Sequence, residues 1–364
     1  MSLKDIRRHI GQIAIAGFTG HSIPADLRSL AREFDLGGII LFARNIAEPN
    51  QVADISREAQ TLAQEQPLWV SVDQEGGRVA RLKAPFTVWP PMITLGRSGD
   101  EKLAAKFARA LATELKAVGI SLDYTPVLDV HTNPANPVIG DRALAERAVD
   151  VARLGKVIIE TLQGAGIAAC GKHFPGHGDT STDSHHELPL IEHPPDRLEA
   201  VELVPFTAAI AAGVASIMTA HILLPALDSE RPATLSPIIV GDLLKKRLGY
   251  TGLVLSDDLE MKAVSGRYGI PEATVAAIAA GCDAVLMCNT SQEEQSAALE
   301  AVIRAAENGT LPVKRLEDAL ARHRRVKERF LAPAHPKPLA PAAMRAALGN
   351  DEHQAIAAEM ARFA

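Results

Sequence analysis

The chain has 364 residues, of which 47% are hydrophobic and 4% aromatic, and its formal net charge is −6. The hydrophobic fraction is enough for a large core, whereas the acidic balance argues against nucleic acid as a main partner. No apolar stretch has the length of a membrane span, and the charged start followed by an interrupted apolar run is not a secretion signal. We therefore expect a cytoplasmic protein without nucleic-acid or membrane partners.

The cysteines and the aromatic residues narrow the class of protein and the kind of ligand further. Cys170, Cys282 and Cys288 each lie in or beside an apolar run. Three cysteines are too few for a secreted disulfide framework, so we predict buried thiols. Two tryptophans and three tyrosines offer little surface for stacking on a polymer, which favours a small ligand held in a pocket.

Eight apolar, β-rich runs alternate with helical patterns. We predict strands at 12–18, 38–42, 68–73, 121–127, 166–172, 216–221, 253–257 and 284–288. Amphipathic helices are predicted at 49–64, 101–118, 147–163, 198–212, 239–248 and 272–280, and a closing helix at 292–308 precedes a charged pattern at 314–331. This alternation predicts an α/β fold, a single-domain (β/α)8 TIM-type barrel. A doubly wound open sheet is the alternative, but no G-x-G-x-x-G motif opens an early helix.

The last part of the chain differs in composition. We expect the barrel domain to cover residues 1–331, because four prolines interrupt the segment that follows: Pro333, Pro336, Pro338 and Pro341. An alanine-rich stretch then mixes small and charged residues. For residues 332–364 we predict a helical tail packed on the barrel or on a partner subunit, in a monomer or weak homodimer.

Residues 171–186 hold an unusual density of ionisable groups. This segment contains four histidines, one lysine and two aspartates, directly after the apolar run 166–170. Reactive groups of a barrel lie at the carboxyl ends of its strands, on the loops that follow. The segment is therefore the first candidate for a functional site.

Other predicted strands also end in polar residues. They deliver the segment 73–78 with Arg81, then Asp129, the segment 139–142, His221 and the pair Asp257 and Asp258. One charged residue at a strand end is usually a structural cap, but five such ends together indicate a site. Asp257 follows a buried strand and could be a nucleophile, a general base or a metal ligand. Of the two adjacent aspartates, we expect one to project inward and the other to cap the next helix.

Asp183 and His185 form a second candidate pair. Two residues apart in a loop, they can place a carboxylate against Nδ1 and leave Nε2 free for proton transfer. Zinc is the competing hypothesis because histidines are abundant here, but no H-E-x-x-H or paired-cysteine spacing supports it. We therefore predict no metal and no other cofactor, and we expect the ring of His177 to hold the turn.

These segments together resemble a known family. The run Lys172–Gly178 with 183–185, the segment 73–78 and the segment 256–259 resemble family 3 glycoside hydrolases, in particular single-domain bacterial members that act in peptidoglycan recycling. The resemblance covers about residues 10–330. It implies a retaining exo-β-N-acetylhexosaminidase that removes terminal β-linked GlcNAc from small soluble saccharides or muropeptides.

The resemblance also implies roles for individual residues. Asp257 matches the nucleophile that forms a covalent glycosyl-enzyme, His185 the acid/base and Asp183 its orienting partner. The residues that match sugar-binding positions are Asp73, Arg81, Arg142, Lys172 and His173. A histidine in place of the second carboxylate departs from the usual glycosidase pair. A phosphorylase, a family 3 β-glucosidase or a silent sugar-binding protein remain alternatives.

Overall fold

The computed structural model describes residues 3–331 and 337–364. Eight parallel strands close into a barrel in the order β1, β2, β3, β6, β7, β8, β9 and β10. They are β1 Ala14–Ala16, β2 Gly38–Leu41, β3 Trp69–Val72, β6 Leu122–Asp123, β7 Ala168–Phe174, β8 Ser216–Thr219, β9 Leu253–Asp258 and β10 Ala284–Met287. A hairpin of β4 Gln74–Gly76 and β5 Val79–Ala80 stands beside the barrel sheet. Because β1 pairs with both β2 and β10, the predicted barrel is confirmed and the open sheet is wrong.

Helices connect and surround the strands. The first group comprises α1 Leu3–His9, α2 Ala25–Phe34, α3 Pro49–Thr61, α4 Ile93–Ser98, α5 Glu101–Ala117, α6 Ala148–Gly164 and α7 Pro195–Arg197. The second comprises α8 Leu203–Ala211, α9 Lys262–Ser265, α10 Ile270–Ala280, α11 Gln292–Glu307, α12 Val313–Leu331, α13 Pro341–Ala347 and α14 Asp351–Ala361. Wider π-helical turns form Leu198–Glu202 and Ile238–Arg247.

Alternation along the strands produces two hydrophobic layers. On β2, Ile40 joins the cluster inside the barrel, whereas Ile39 and Leu41 join the cluster between barrel and helices. Leu286 and Val285 divide in the same way on β10. Successive side chains of a strand point to opposite faces, so a short, wholly apolar strand serves both layers.

The amino-terminal mouth of the barrel is closed by α12. Val326 and Phe330 of this helix join the interior cluster. The indole Nε1 of Trp69, at the start of β3, donates to Nε2 of His323 at 2.8 Å. This mouth is therefore packed shut, and the charged groups of the site lie at the opposite mouth.

All eight predicted strands are present, although several are shorter than predicted. In the first, Ile10–Ile13 forms a 3₁₀ turn and the strand begins only at Ala14. Helix α2 is absent from the sequence predictions. Its buried positions Leu27, Leu30, Ala31 and Phe34 do carry helical spacing, so the signal was available.

The carboxyl-terminal segment 337–364 packs against the barrel helices. Helices α13 and α14 both contact α5. The buried carboxylate of Glu114, on α5, accepts from the Gly349 amide at 2.9 Å and lies 2.8 Å from Nδ1 of His353. The predicted domain boundary at residue 332 lies outside the described residues.

Composition predicts buried cysteine thiols and no membrane-spanning helix. The three cysteines are buried and free, which confirms the prediction of buried thiols. Across residues 3–331 and 337–364, no helix is both long enough and apolar enough to cross a membrane.

Candidate active site

A polar cavity opens at the carboxyl mouth of the barrel. Its volume is about 230 Å³, which suits a small ligand. The side chains that line it include Asp73, Arg81, Arg142, Lys172, His173, His185 and Asp257, all predicted from the sequence, together with Phe42, Asp258 and Asn289. Asp183 is the one predicted site residue that does not line the cavity. Strand ends far apart in the chain thus meet because they share one mouth of the barrel.

Glu75 holds two of the cations in this cavity. Its carboxylate accepts two hydrogen bonds from Arg142, at 2.9 and 2.8 Å, and lies 2.7 Å from Nζ of Lys172. Burial raises the pKa of Glu75, but Arg142 and Lys172 outweigh this effect and hold the pKa well below its ordinary value. The group is therefore ionised, and it fixes both cations rigidly.

Asp73 lies on the ligand side of the same cluster. Its Oδ1 accepts from Nζ of Lys172 at 2.7 Å, and its Oδ2 lies 3.5 Å from a terminal nitrogen of Arg81. Lys172 is buried, and burial alone would lower its pKa, but Asp73 and Glu75 raise the pKa above its ordinary value. A buried, permanently charged ammonium beside an accessible carboxylate is suited to binding sugar hydroxyls.

The β4–β5 hairpin brings Arg81 back to the cavity. Gly76 and Gly77 turn the chain with φ of +113° and +56°, conformations that other residues rarely adopt. The amide oxygen of Gln74 then accepts from the backbone of Arg81 at 2.8 Å. The glycine pair and the glutamine thereby explain why this sequence segment places an arginine beside Asp73.

Asp129 organises the histidines that follow β7. This buried carboxylate lies 2.7 Å from Nδ1 of His173 and accepts from the backbone amide of His177 at 2.6 Å. Burial raises the pKa of Asp129, but His173 and His177 outweigh this effect and hold the pKa below its ordinary value. The bond at Nδ1 leaves Nε2 of His173 to a ligand in the cavity.

Asp257 stands at the end of β9, where the sequence predicted it. Burial raises its pKa, but His221 and His173, when protonated, and the Asp258 amide at 2.8 Å lower the pKa below its ordinary value. Near neutral pH the ring of His221 is itself neutral, since burial lowers its pKa. Asp257 is therefore an ionised carboxylate at the base of the cavity.

Asp258 does not cap the following helix, contrary to the expectation for the aspartate pair. Its Oδ1 accepts from the amides of Glu260 and Cys288, at 3.2 and 3.3 Å. Helix α9 begins only at Lys262, after a turn, so the carboxylate is used by that turn and by the end of β10. Burial and the neighbouring Glu260 raise the pKa of Asp258 to about 8.

His185 and Asp183 meet in the loop after β7. Oδ1 of Asp183 lies 2.7 Å from Nδ1 of His185 and also accepts the backbone amide of His185 at 2.8 Å. Partial burial raises the pKa of Asp183, but these two bonds lower it below the ordinary value. The carboxylate is ionised, and the Nε2 atom of His185 remains free for proton transfer.

The ring of His177 holds the turn, as expected. Its Nδ1 lies 2.7 Å from Oγ1 of Thr180, and its Nε2 lies 3.2 Å from Oγ of Ser184. Burial lowers the pKa of His177 to about 4, so the ring is neutral. It links the two ends of the loop that carries His185.

The sequence did not predict a role in ligand binding for Glu75, Phe42 or Asn289. Glu75 lies within the segment 73–78, yet its position between two cations needed the folded chain. Phe42 directly follows β2, and Asn289 is the second residue after β10. Their place after a strand is the signal that could have found them. In the described ranges, no group of three or more His, Cys, Asp or Glu side chains is arranged to hold a metal ion.

A closed parallel barrel with a charged cavity at its carboxyl mouth is the architecture of a TIM-barrel enzyme. Residues 5–326 match the Glycosyl hydrolase family 3 N terminal domain. The chain belongs to glycosyl hydrolase family 3.

Relatives and solved structures agree with this membership. β-Hexosaminidase A of Pseudoalteromonas piscicida is 35% identical over 368 residues; the match covers 93% of this chain and 60% of that protein. A family 3 β-N-acetylglucosaminidase from Paenibacillus sp. str. FPU-7 superposes with a TM-score of 0.91 at 41% identity, covering 98% of this chain and 68% of that one. NagZ of Neisseria gonorrhoeae, solved in complex with N-trifluoroacetyl-D-glucosamine, has a TM-score of 0.77 at 33% identity and covers 96% and 97%.

Proposed function

We propose that the chain is a retaining exo-β-N-acetylhexosaminidase, which hydrolyses terminal β-linked GlcNAc through a covalent glycosyl-enzyme. The observation that carries the proposal is an ionised carboxylate, Asp257, in the same small cavity as His185, whose Nδ1 is held by Asp183. The named relatives are β-hexosaminidases and β-N-acetylglucosaminidases, which supports this substrate class.

In the first step, a carboxylate oxygen of Asp257 attacks the anomeric carbon while the glycosidic C–O bond breaks. Protonated His185 gives its Nε2 proton to the departing oxygen, and Asp183 stabilises the imidazolium at Nδ1. In the second step, neutral His185 takes a proton from water, whose oxygen attacks the anomeric carbon and releases Asp257. Two displacements restore the original configuration.

The terminal sugar is held by the charged cluster. Asp73, Lys172 and Arg81 lie next to one another and offer a fixed acceptor and fixed donors to sugar hydroxyls. Arg142 and His173 complete the set and are fixed by Glu75 and Asp129. A small cavity of about 230 Å³ favours release of one sugar from a chain end.

The physiological substrate in this proposal is a peptidoglycan-derived muropeptide in the cytoplasm. The protein is a monomer or weak homodimer, with residues 1–331 as the catalytic barrel and 332–364 as a helical tail. The packing of α13 and α14 on α5 supports the tail as part of the same body.

A chromogenic GlcNAc β-glycoside tests the proposed reaction. Release of free GlcNAc, at a rate independent of phosphate, is the expected result. Formation of GlcNAc 1-phosphate would instead indicate a phosphorylase, for which a histidine acid/base is suitable because a neutral ring repels phosphate less than a carboxylate does. Faster cleavage of the matching glucoside would indicate a β-glucosidase, and no cleavage would indicate a sugar-binding protein.

A further inference from the structure

We propose that Asn136 is a positioning residue, which couples the loop of His185 to the segment that carries Arg142. The inference rests on the proposed function and adds to it a residue outside the cavity. Asn136 lies in the long connection between β6 and α6, and the residue is 6% exposed.

One half of the amide binds the loop after β7. Nδ2 of Asn136 donates to the carbonyl oxygens of His177 and Gly178, at 2.9 and 3.1 Å. It also lies 3.2 Å from Oγ1 of Thr180. Three acceptors of one loop thus converge on a single buried NH₂ group.

The side-chain oxygen of Asn136 binds the segment that leads to Arg142. Oδ1 of Asn136 accepts from the backbone amides of Val138 and Ile139, at 2.9 and 2.7 Å. The carbonyl oxygen of Val138 in turn accepts from a terminal nitrogen of Arg142 at 3.0 Å. The amide therefore touches the segment that fixes a sugar-binding arginine.

Contacts within the loop link Asn136 to His185, the proposed acid/base. Thr180 contacts Nδ1 of His177, and Nε2 of that ring contacts Ser184, the residue before His185. His185 itself is largely exposed, with 62% of its side chain accessible, and is anchored only locally by Asp183. Its position over the cavity therefore depends on how the loop is held at its base, which Asn136 holds together with Asp129 and Asn133.

Asn136→Asp distinguishes the contacts of the side-chain NH₂ group from those of the side-chain oxygen. The variant keeps an oxygen for the Val138 and Ile139 amides but turns an oxygen towards the carbonyls of the loop, so it releases the loop alone. Thr180→Val, nearly isosteric, removes the hydroxyl on the loop side without a new charge. Asn308→Asp is the matched control, because it makes the same change at an exposed position after α11.

The readout is kcat/KM on two GlcNAc β-glycosides, one with a poor leaving group (phenol) and one with a good one (dinitrophenol). Proton donation matters only for the poor one, where general acid assistance gives about 10²–10⁴-fold. We expect both variants to lose about tenfold on the phenyl glycoside and less than about threefold on the dinitrophenyl glycoside. Circular dichroism and thermal unfolding establish that each variant is folded, and Asn308→Asp should match the wild type.

Equal losses on both glycosides, or no loss, in folded variants would overturn the inference while leaving the proposed function intact. If Asn136→Asp does not fold, the test rests on Thr180→Val. Its loss in kcat/KM on the phenyl glycoside is then compared with its loss on the dinitrophenyl glycoside. A wild-type protein that cleaves neither glycoside would overturn the proposed function and this inference with it.

Discussion

Oδ1 of Asp183 contacts both Nδ1 and the backbone amide of His185, at 2.7 and 2.8 Å. One carboxylate oxygen thus fixes the ring and the main chain of the same residue. Since the pKa of Asp183 is held below its ordinary value, this carboxylate is ionised near neutral pH. The ionised carboxylate thereby fixes the orientation of the ring that the proposed mechanism uses.

His185→Ala is expected to lose about 10²–10⁴-fold on a natural sugar linkage and much less in the first step on a nitrophenyl glycoside. Nitrophenolate leaves largely unaided, whereas an alkoxide needs the proton. In the proposed mechanism deglycosylation also needs His185, so the intermediate should accumulate and azide should accelerate turnover. Asp183→Ala should give the same pattern more weakly. The exposed neighbour His186→Ala is the control. Equal losses on both substrates would assign the proton to another residue.

Asp257→Ala should abolish turnover without unfolding the protein, because the residue lines a cavity rather than the hydrophobic core. In the wild type, a 2-fluoro or 5-fluoro sugar should form a stable ester with Asp257, which peptide mass spectrometry locates. Thermal unfolding of the variant checks its fold. Labelling of Asp258 or Glu260 would contradict the assignment of the nucleophile.

Glu75→Gln is expected to weaken sugar binding, since it removes the charge that holds Arg142 and Lys172. KM should rise more than kcat falls. Removing one partner of a buried ion pair also costs about 3–5 kcal/mol in the free energy of unfolding. Urea titrations and steady-state kinetics measure both effects. Glu101→Gln, which loses only an exposed pair with Arg153, should change neither. An unchanged KM would exclude Glu75 from substrate positioning.

Lys327 makes stability depend on pH. Burial lowers its pKa to about 7, whereas an unfolded lysine has its ordinary value of 10.5. Between these values the unfolded chain binds more protons, so the free energy of unfolding rises as pH increases. Relative to Lys327→Met, the wild type should gain about 2 kcal/mol from about pH 7 to about pH 9. Urea unfolding at both pH values measures this difference.

The control for that measurement is Lys314→Met, an exposed lysine on the same helix, which should track the wild type at both pH values. A Lys327→Met variant with the same pH dependence as the wild type would mean that Lys327 is not neutralised in the fold.

Chelators are expected to leave activity unchanged, because the histidines are assigned to proton transfer and sugar binding. Dialysis against EDTA followed by kinetic assay tests this, and metal analysis of the purified protein accompanies it. Stoichiometric zinc, with activity lost on its removal and restored on its return, would reinstate the metal hypothesis.

The sequence by itself determined the barrel and most of the cavity. Strand identity is a local property of short apolar runs, and parallel strands of a barrel must end at one mouth. The segments around Asp73, Lys172 and Asp257 could therefore be placed together without coordinates. Helix α2 shows the opposite case, a local signal that was present and overlooked.

Only the tertiary structure decided which charges pair. Glu75 and Arg142 are 67 residues apart, and no spacing indicates that this carboxylate, rather than Asp73, binds the arginine twice. Likewise, Asp258 serves the end of β10 and not a helix, because its partner amide comes from a neighbouring strand. Side-chain pairing depends on the register and twist of strands distant in the chain, and a one-dimensional pattern does not contain these.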